Sequence, residues 1–419
     1  EDRDVKINLF KSLENFVTPK CILASNTSSF LVTDLAKDLK HPERFVGVHY
    51  FYHAAKNKLV EIIAGKKTNS IILDQLEAFY RNTDKIPIRV KDAPGFAVNR
   101  FFVPWLNEAT RLYEEGCGSI AFIDEVACKV FQISMGPFGL MNATGVPIAM
   151  HAAQGLADVL GAFYAPSQIL KKQVASGTPW DLTDRKLLTN GANNEALITD
   201  RLLAASVGIA TLMVNEEVAD AASVDLGARV GLRWAKGPFE LIAKGPFELI
   251  KERGFDACAT LLKKRLSAWG LAEPHFPKKL DWVRTEVIKD SAFLIFDIPD
   301  RMNALSEDVM DVLEDCWNRI ENNSSVNKIF FLGRGKAFVA GADIKFFIDS
   351  IDKEDFPRIK AFTERGQKLL TRFASSPKTT IAYLNGLTLG GGLELALSCH
   401  YRIASTKVNL AFPETGIGI

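Results

Sequence analysis

The sequence predicts a multidomain protein in which an α/β region is followed by a duplicated all-helical region and then by a second α/β region. Apolar residues alternate between strand-like and helical spacing up to about Asp92, and they do so again from about Thr285. Between these points only helical spacing is found. We therefore expect domains at residues 1–92, 93–187, 188–275 and 281–419.

Composition excludes several classes of protein. The chain has 419 residues, 47% of them hydrophobic, and a formal net charge of +1, which does not indicate nucleic-acid binding. It has no apolar run of about 18 residues, so no membrane span is predicted. Its six cysteines form no C-x-x-C pair or zinc-type cluster, so we expect no metal and a reducing compartment, the cytoplasm. Both ends of the sequence suggest a piece of a longer protein.

Polar residues in the first α/β region fall where strands end or helices begin. The predicted strands are Cys21–Ala24, Phe45–Tyr50, Leu59–Ala64 and Pro87–Lys91, and the predicted helices are Val5–Val17, Leu31–Leu39 and Ile71–Arg81. Ser28 follows the first strand, His49 and Glu61 lie in the next two, and Asn99 opens a later helix. Sites in open α/β sheets form at strand ends, and a carboxylate beside an imidazole makes a general base. Taken singly, His49 is more typical of a packed strand histidine, and Glu61 of a surface residue.

The helical region contains an internal duplication. Arg100 is followed 37 positions later by Pro137 in a Gly-Pro-Phe sequence, and Arg201 is followed at the same distance by Pro238. Each copy has a pair of glutamates midway, at residues 114–115 and 216–217. Equal spacing of these signatures predicts two related helical domains. The octapeptide of residues 235–242 is repeated unchanged at 243–250, for which we have no physical account.

Three glycines in the second α/β region indicate an anion site. The predicted strands are Ser291–Ile298, Lys328–Leu332 and Thr379–Leu384, and the predicted helices are Glu307–Glu321 and Phe356–Phe373. Gly390–Gly392 follow the last of these strands and start a further helix. The backbone N–H groups of a helix N-terminus have no partner within the helix and can point at a negative charge.

Five motifs of the first 270 residues resemble the 3-hydroxyacyl-CoA dehydrogenase family in order and spacing. They are S-N-T-S-S at 25–29, H-Y-F at 49–51, K-L-V-E-I at 58–62, K-D-A-P-G-F-A-V-N-R at 91–100 and M-G-P-F at 135–138. The resemblance implies the C-terminal part of an NAD-binding Rossmann-type domain followed by the family's helical domain. It implies that His49 accepts the proton of the substrate hydroxyl, that Glu61 orients His49, and that Ser28 and Asn99 bind substrate oxygens. The cofactor contacts that it implies are Glu1, Lys6, Asn26, Ser28 and Tyr52.

The sequence departs from this family pattern in two places. Tyr52-His53 stand where the family usually has Asn-Pro, which affects an expected cofactor contact. The glycine-rich turn that holds the cofactor pyrophosphate is expected before Glu1. In the second helical copy Asp200 stands at the position of Asn99, and no α/β block accompanies it, so we expect that copy to have a structural role.

The second α/β region resembles the crotonase (enoyl-CoA hydratase/isomerase) family over about residues 285–419. The motifs are P-D-R-M-N-A-L at 299–305, F-V-A-G-A-D-I-K at 338–345 and N-G-L-T-L-G-G-G-L-E-L-A at 385–396. The resemblance implies a partial crotonase domain in which the N–H groups of Ala342 and Gly391 form an oxyanion hole. The implied acyl-CoA pocket includes Ala342, Asp343, Ile344 and Lys345. Glu394 and Glu414 match the two glutamates of the hydratases, and this spacing favours a functional Glu414 over the alternative of a solvated loop carboxylate.

Together the resemblances imply a bifunctional enzyme of fatty-acid β-oxidation. One half would hydrate trans-2-enoyl-CoA, and the other would oxidise the (3S)-3-hydroxyacyl-CoA with NAD. Two alternatives remain open: a non-catalytic module that binds acyl-CoA or serves assembly, and a crotonase half that is mainly an isomerase. The expected partners are acyl-CoA thioesters and a second copy of the chain in a homo-oligomer, and association with a thiolase is also considered.

Overall fold

The structure is a computed structural model whose described residues are 2–28, 30–189, 191–243, 248–276 and 282–413, with the backbone alone for residues 243 and 248–256. The chain divides into two compact units, residues 1–278 and 279–419. Glu1, Glu414 and part of the repeated octapeptide lie outside the described residues.

A four-stranded sheet forms the α/β part of the first unit. Its strands are β1 (Leu23–Ser25), β2 (Phe45–Tyr50), β3 (Leu59–Ala64) and β4 (Ile86–Lys91), in the order β1-β2-β3-β4. β1 and β2 are parallel, β2 and β3 are antiparallel, and β3 and β4 are parallel. β2 and β3 have the predicted bounds, while β1 begins and ends later than predicted. Five of the six residues in each of β2 and β3 are buried, as expected for strands covered on both faces.

Three helices accompany this sheet, and two of them are shorter than predicted. They are α1 (Arg3–Leu13), α2 (Val32–Leu35) and α3 (Ser70–Asn82). α1 stops before Glu14, whose carboxylate accepts the backbone N–H groups of Lys40 and His41. The carboxylate of Asp92 accepts the N–H groups of Val32 and Thr33 at the start of α2. Both contacts join segments distant in sequence, which local periodicity does not report.

The helical region of the first unit follows β4 directly. Its helices are α4 (Asn99–Glu114), α5 (Ile120–Phe131), α6 (Pro137–Thr144), α7 (Val146–Leu160), α8 (Gln168–Ser176), α9 (Glu195–Leu203), α10 (Ile209–Asn215), α11 (Ala221–Leu226), α12 (Pro238–Ala243) and α13 (Glu248–Ala268). Single π-turns connect α9 to α10 and continue α11. Within the described residues, the segment Glu195–Asn215 is long and apolar enough to cross a membrane, but 72% of it is buried in the protein.

The two helical copies repeat the same local geometry at an offset of 101 positions. Asp124 accepts the N–H groups of Phe138 and Gly139 at the start of α6, at 2.9 and 3.0 Å. Asp225 accepts those of Phe239 and Glu240 at the start of α12, at 2.8 and 3.2 Å. Burial raises the pKa of Asp124 to about 6, and it raises that of Asp225 still more strongly. Each copy therefore caps its Gly-Pro-Phe helix with an aspartate, half-buried in the first copy and fully buried in the second.

Reciprocal ion pairs join the copies. Arg100 of the first copy binds Glu216 of the second, and Arg201 of the second binds Glu115 of the first. The partners are again related by the 101-position offset. The arginine side chains are 5% and 8% exposed, so their charges depend on these partners. One glutamate of each pair noted in the sequence thus lies at the contact between the copies.

The second unit contains two sheets and four helices in its described part. The strands are β5 (Val283–Ile288), β6 (Ser291–Phe296), β7 (Lys328–Gly333), β8 (Ala337–Ala340), β9 (Thr379–Leu384), β10 (Leu387–Leu389), β11 (Tyr401–Ala404) and β12 (Asn409–Ala411). One sheet has the order β11-β9-β7-β6-β5 and the other β12-β10-β8. The helices are α14 (Glu307–Glu321), α15 (Ile344–Asp352), α16 (Phe356–Ala374) and α17 (Gly391–Ser398).

Aromatic packing fixes the core of the second unit. The rings of Trp317 and Phe373 lie 4.5 Å apart between centroids, and Phe331 of β7 lies 4.9 Å from Phe373. These side chains join α14 and α16 to the larger sheet. The N-terminal hairpin strand β5 was not predicted, because five of its six residues remain partly or fully exposed and it carries little apolar alternation.

We predict that Gly136→Ala destabilises the first unit. A Cβ built on Gly136 would lie 2.4 Å from Cγ of Asp124 and 2.7 Å from its Cα, so the cap of α6 would have to shift. Overpacking of this kind costs about 1–3 kcal/mol. Gly155→Ala in α7 is the matched control, because a Cβ there meets nothing within 4 Å, and it should stabilise by about 0.5–1 kcal/mol. Urea unfolding curves that do not separate the two variants would contradict the role of this contact.

Candidate active sites

The register between β2 and β3 creates a buried histidine–glutamate pair. His49 and Glu61 are direct partners across the antiparallel strands. Nδ1 of His49 lies 2.6 Å from Oε2 of Glu61, and the two side chains are 8% and 0% exposed. Residues opposite each other on antiparallel strands present their side chains to the same face. The pairing expected from the sequence is therefore present in the structure.

The second oxygen of Glu61 anchors the start of α4. Oε1 accepts the backbone N–H groups of Ala97 and Val98, at 2.9 and 3.0 Å. The turn that presents them contains Gly95 and Phe96, both with positive φ, at 74° and 51°. Sequence reasoning missed this anchor. The Gly-Phe pair before the helix was the available signal, because it marks an unusual turn.

A cavity of about 390 Å³ brings four predicted site residues together. Ser28, His49, Tyr52 and Asn99 all line it. Its remaining walls are largely apolar and come from α4 and α7. A few polar groups at one end of an apolar cleft are typical of a small-molecule site.

The geometry determines which nitrogen of His49 can act on a substrate. Nδ1 is directed at the Glu61 carboxylate, which accepts hydrogen bonds only, so Nδ1 carries the proton. Nε2 is then the acceptor. When Nε2 takes a proton, the carboxylate stabilises the resulting imidazolium. Ser28 and Asn99 add hydrogen-bonding groups on the same cavity wall.

Residues expected at the cofactor lie at the same end of the sheet. Nζ of Lys6 donates to the backbone oxygen of Asn26 at 2.8 Å, and the side chain of Asn26 accepts from Tyr50 N at 3.4 Å. Tyr52 is 84% exposed at the cavity. A polar edge adjoining Ser28 and the histidine fits the reactive end of a nicotinamide cofactor. Lys6, Asn26, Ser28 and Tyr52 would hold that end.

In the second unit, a backbone bridge pairs Ala342 with Leu305 and places Ala342 N near Gly391 at the start of α17. Leu305 N donates to Gly341 O, and Asp343 N donates to Leu305 O. The N–H of Ala342, between them, points away from Leu305. A Cβ built on Gly391 would lie 3.8 Å from Ala342 N and 3.8 Å from Oε2 of Glu394. Within residues 282–413 neither Ala342 N nor Gly391 N has an acceptor.

The three glycines at the start of α17 have different roles. Gly390 has a φ of 45°, which favours glycine. A Cβ on Gly392 would lie 2.0 Å from Val339 O, so only glycine lets α17 approach β8 this closely. Gly391 makes ordinary contacts and contributes its N–H. The run thus combines a turn, a close approach and a donor.

Of the other residues predicted for the site in this unit, Glu394 lies near Gly391, whereas Asp343 caps a helix and Ile344 is exposed. Asp343 caps α15 by accepting the N–H of Lys345 at 3.0 Å, and Ile344 is 73% exposed. Glu394 is exposed on α17, near Gly391. Asn303 was quoted in a motif without a role. Its side chain is fully buried and binds Ile298 N and the backbone oxygens of residues 334, 337 and 338, so it fixes the loop before Leu305.

Three family models match successive segments of the chain. The NAD-binding domain of 3-hydroxyacyl-CoA dehydrogenase matches residues 1–93, and the C-terminal domain of 3-hydroxyacyl-CoA dehydrogenase matches residues 95–188. An enoyl-CoA hydratase/isomerase model matches residues 291–419. By these matches, the chain joins a region similar to 3-hydroxyacyl-CoA dehydrogenase to a region similar to enoyl-CoA hydratase/isomerase, and the fold class predicted from the sequence is confirmed.

Relatives agree with this assignment over part of their length. The chain is 35% identical to the 3-hydroxybutyryl-CoA dehydrogenase of Clostridioides difficile over 36% of this chain and 53% of that protein. It is 39% identical to the fatty acid oxidation complex subunit alpha of Idiomarina loihiensis, over 36% of this chain and 21% of that one. The crystal structure of 3-hydroxybutyryl-CoA dehydrogenase from Escherichia coli shares the fold, with a TM-score of 0.56, 20% identity, and coverage of 66% of this chain and 78% of that one. The chain spans about half the length of the first relative.

Proposed function

We propose that the full-length protein catalyses two consecutive steps of fatty-acid β-oxidation. Its enoyl-CoA hydratase region would add water to a trans-2-enoyl-CoA, and its dehydrogenase region would oxidise the resulting (3S)-3-hydroxyacyl-CoA to the 3-oxoacyl-CoA. The product of the first step is the substrate of the second, which makes the fusion chemically coherent. The observation that carries the proposal is the buried His49–Glu61 pair at 2.6 Å, lining a cavity with Ser28 and Asn99.

The dehydrogenase residues would divide the work between proton transfer and positioning. NAD, when bound, supplies the acceptor for the hydrogen that leaves C3 as hydride. His49 Nε2 accepts the proton of the 3-hydroxyl, and Glu61 holds the imidazole in the tautomer that leaves Nε2 free. Ser28 and Asn99 would bind the substrate oxygens. The apolar walls exclude water, which strengthens each of these interactions.

The hydratase residues would stabilise an enolate and direct one water. Attack of water at Cβ places negative charge on the thioester oxygen, and the N–H groups of Ala342 and the neighbouring Gly391 would stabilise that charge. Glu394, near this point, would orient the water, and Glu414 would exchange a proton with Cα. Glu414 lies outside the described residues, so its part rests on its position twenty residues after Glu394.

The alternatives make different demands on these residues. A non-catalytic acyl-CoA-binding module has no need of a fully buried glutamate aligned on a histidine, which costs desolvation. An isomerase can shuttle a proton with one carboxylate, whereas the sequence has two at the expected spacing. The proposal also includes a cytoplasmic location, a homo-oligomeric assembly and association with a thiolase. It retains the four domain bounds predicted from the sequence.

We expect Glu61→Gln to abolish most oxidation while hydration survives. A glutamine amide would donate to Nδ1 of His49 and so force the proton onto Nε2, which removes the base. The wrong tautomer costs on the order of 10⁴ in kcat, and His49→Gln should have a loss of similar size. NADH formation and enoyl-CoA hydration are measured on one preparation of the full-length protein.

The control for this experiment is an exposed histidine–glutamate pair, His41 and Glu43, at 3.2 Å. Glu43→Gln should change neither activity. Equal loss of oxidation and hydration in Glu61→Gln, with the fold retained by circular dichroism, would contradict two separate sites.

We also expect Glu394→Gln and Glu414→Gln each to remove nearly all hydration and to leave oxidation unchanged. Two carboxylates on one water can fix its direction and share its protons, which one alone cannot do. Loss of crotonyl-CoA absorbance in the full-length protein measures the effect. Glu364→Gln, an exposed residue of α16 paired with Lys360, is the control. Near wild-type hydration in either single variant would refute the two-carboxylate mechanism.

A further inference from the structure

A single buried amide connects the loop between β2 and β3 to the second helical copy. Asn57 is 4% exposed, and its Nδ2 donates to the backbone oxygen of Gly231 at 2.9 Å and to that of Tyr52 at 3.4 Å. Its Oδ1 accepts the N–H of Leu59, the first residue of β3, at 3.1 Å. One side chain therefore joins the loop, the strand and a segment 174 residues away in the sequence.

The π-turn Gly227–Gly231 of the second copy packs directly against two parts of the dehydrogenase site. A Cβ built on Gly231 would lie 2.6 Å from Cδ2 of Leu59 in β3. A Cβ built on Gly227 would lie 2.7 Å from Cγ2 of Val98, immediately before α4. Even the smallest side chain at either position would therefore push the π-turn away from the strand or from the start of the helix.

A buried ion pair fixes this π-turn within the second copy. Nη1 of Arg229 lies 2.9 Å from Oε2 of Glu240, and the two side chains are 7% and 6% exposed. The same carboxylate oxygen accepts the N–H of Gly237 at 2.8 Å, just before α12. Breaking such a pair leaves a charge buried without its partner, which is strongly destabilising. The π-turn is thus a rigid support for the residues that pack on it.

The loop bound by Asn57 carries two residues of the dehydrogenase cavity. Phe51 and Tyr52 both line the cavity beside His49. The rings of Phe51 and His49 lie 4.7 Å apart between centroids. On its other side, Cδ1 of Phe51 would lie 3.6 Å from a Cβ built on Gly231. Asn57 does not itself line the cavity, so any effect of this residue on the reaction passes through the residues that it holds.

We propose that Asn57 and the π-turn Gly227–Gly231 are positioning elements of the dehydrogenase site, which hold the loop of residues 51–57 so that Tyr52 meets the nicotinamide cofactor. The inference rests on the proposed dehydrogenase function and gives the second copy a part in it. Without the Asn57 amide, the carbonyls of Tyr52 and Gly231 lose this donor. A buried acceptor without a donor disfavours the conformation that contains it, so the loop would leave its place and cofactor binding would weaken.

The substitutions Asn57→Asp and Gly231→Ala test the contact from its two sides in the full-length protein. The aspartate keeps the size and the acceptor but has no donor, whereas the alanine pushes the π-turn away from β3. Each should raise the Kd for NADH about tenfold, measured by fluorescence titration without acyl-CoA. KM for the 3-hydroxyacyl-CoA should stay within twofold, because Ser28 and Asn99 lie outside the loop. Deuterium exchange in a peptide spanning residues 51–58 should become faster in both variants.

The double variant shows whether the two residues act through one contact. If they do, its Kd for NADH should lie within about twofold of that of the weaker-binding single variant. Asn215→Asp is the matched control, because the Asn215 amide also binds a distant backbone segment. It donates to the oxygen of His275 at 3.0 Å and accepts the N–H of His275 at 2.8 Å, and Asn215 does not line the cavity. This control should change neither the Kd for NADH nor the KM.

A purely structural role for Asn57 predicts a different result. It would lower the urea midpoint and the maximal rate by reducing the amount of folded protein, and it would leave the Kd for NADH unchanged. That outcome, or Kd increases that multiply in the double variant, would overturn the positioning role. A wild-type protein that neither binds NADH nor oxidises 3-hydroxyacyl-CoA would instead contradict the proposed dehydrogenase function itself.

Discussion

The carboxylate of Glu61 holds together the parts of the dehydrogenase site. An ionised carboxylate in a protein interior is costly unless its oxygens are hydrogen-bonded. Here one oxygen meets Nδ1 of His49, and the other accepts two backbone N–H groups immediately before α4. The same group therefore fixes the orientation of the base and the position of the helix that carries Asn99. The sheet, the imidazole of His49 and the start of α4 therefore share one anchor.

The second helical copy stabilises the position of α4 through ion pairs and aromatic contacts. Arg100 follows Asn99 in α4, and its buried guanidinium binds Glu216 of the second copy. Arg201 of the second copy in turn forms an ion pair with Glu115 of the first. A core of Trp105, Phe131 and Trp234, with ring centroids 4.8 to 5.3 Å apart, packs between the copies. Although no described residue of the second copy lines the cavity, the charges and rings of that copy fix the helix on which Asn99 lies.

Sequence patterns predicted the parts of this structure that depend on local spacing. The sequence predicted β2, β3, α14 and β9 with their observed bounds. In these elements a strong hydrophobic periodicity lies within a single segment of the chain. Short strands such as β8, β10 and β12 were missed, since three or four residues carry too little pattern and their pairing partners are distant. α2 was predicted too long, because local periodicity does not report the contact that the distant Asp92 makes with its start.

The candidate sites show the same division. His49 and Glu61 could be paired from their motifs, and Ala342 and Gly391 could be expected as N–H donors from the resemblance to the crotonase family. The anchoring of Glu61 by residues 97 and 98, and the buried amide of Asn303, depend on loop conformations that spacing does not specify. The glutamate pairs were recognised as part of the duplication, yet their arginine partners belong to the opposite copy.

The central claim is that Glu61 acts on the reaction only through His49. A double-mutant cycle with His49→Ala and Glu61→Gln tests it most directly, because the glutamine retains an acceptor for the N–H groups that begin α4. The measured quantity is kcat for NADH formation by the full-length protein with saturating 3-hydroxyacyl-CoA and NAD. If the residues form one unit, the double variant should lose about as much as His49→Ala alone. Losses that multiply would show that Glu61 contributes independently of the histidine and would contradict the account.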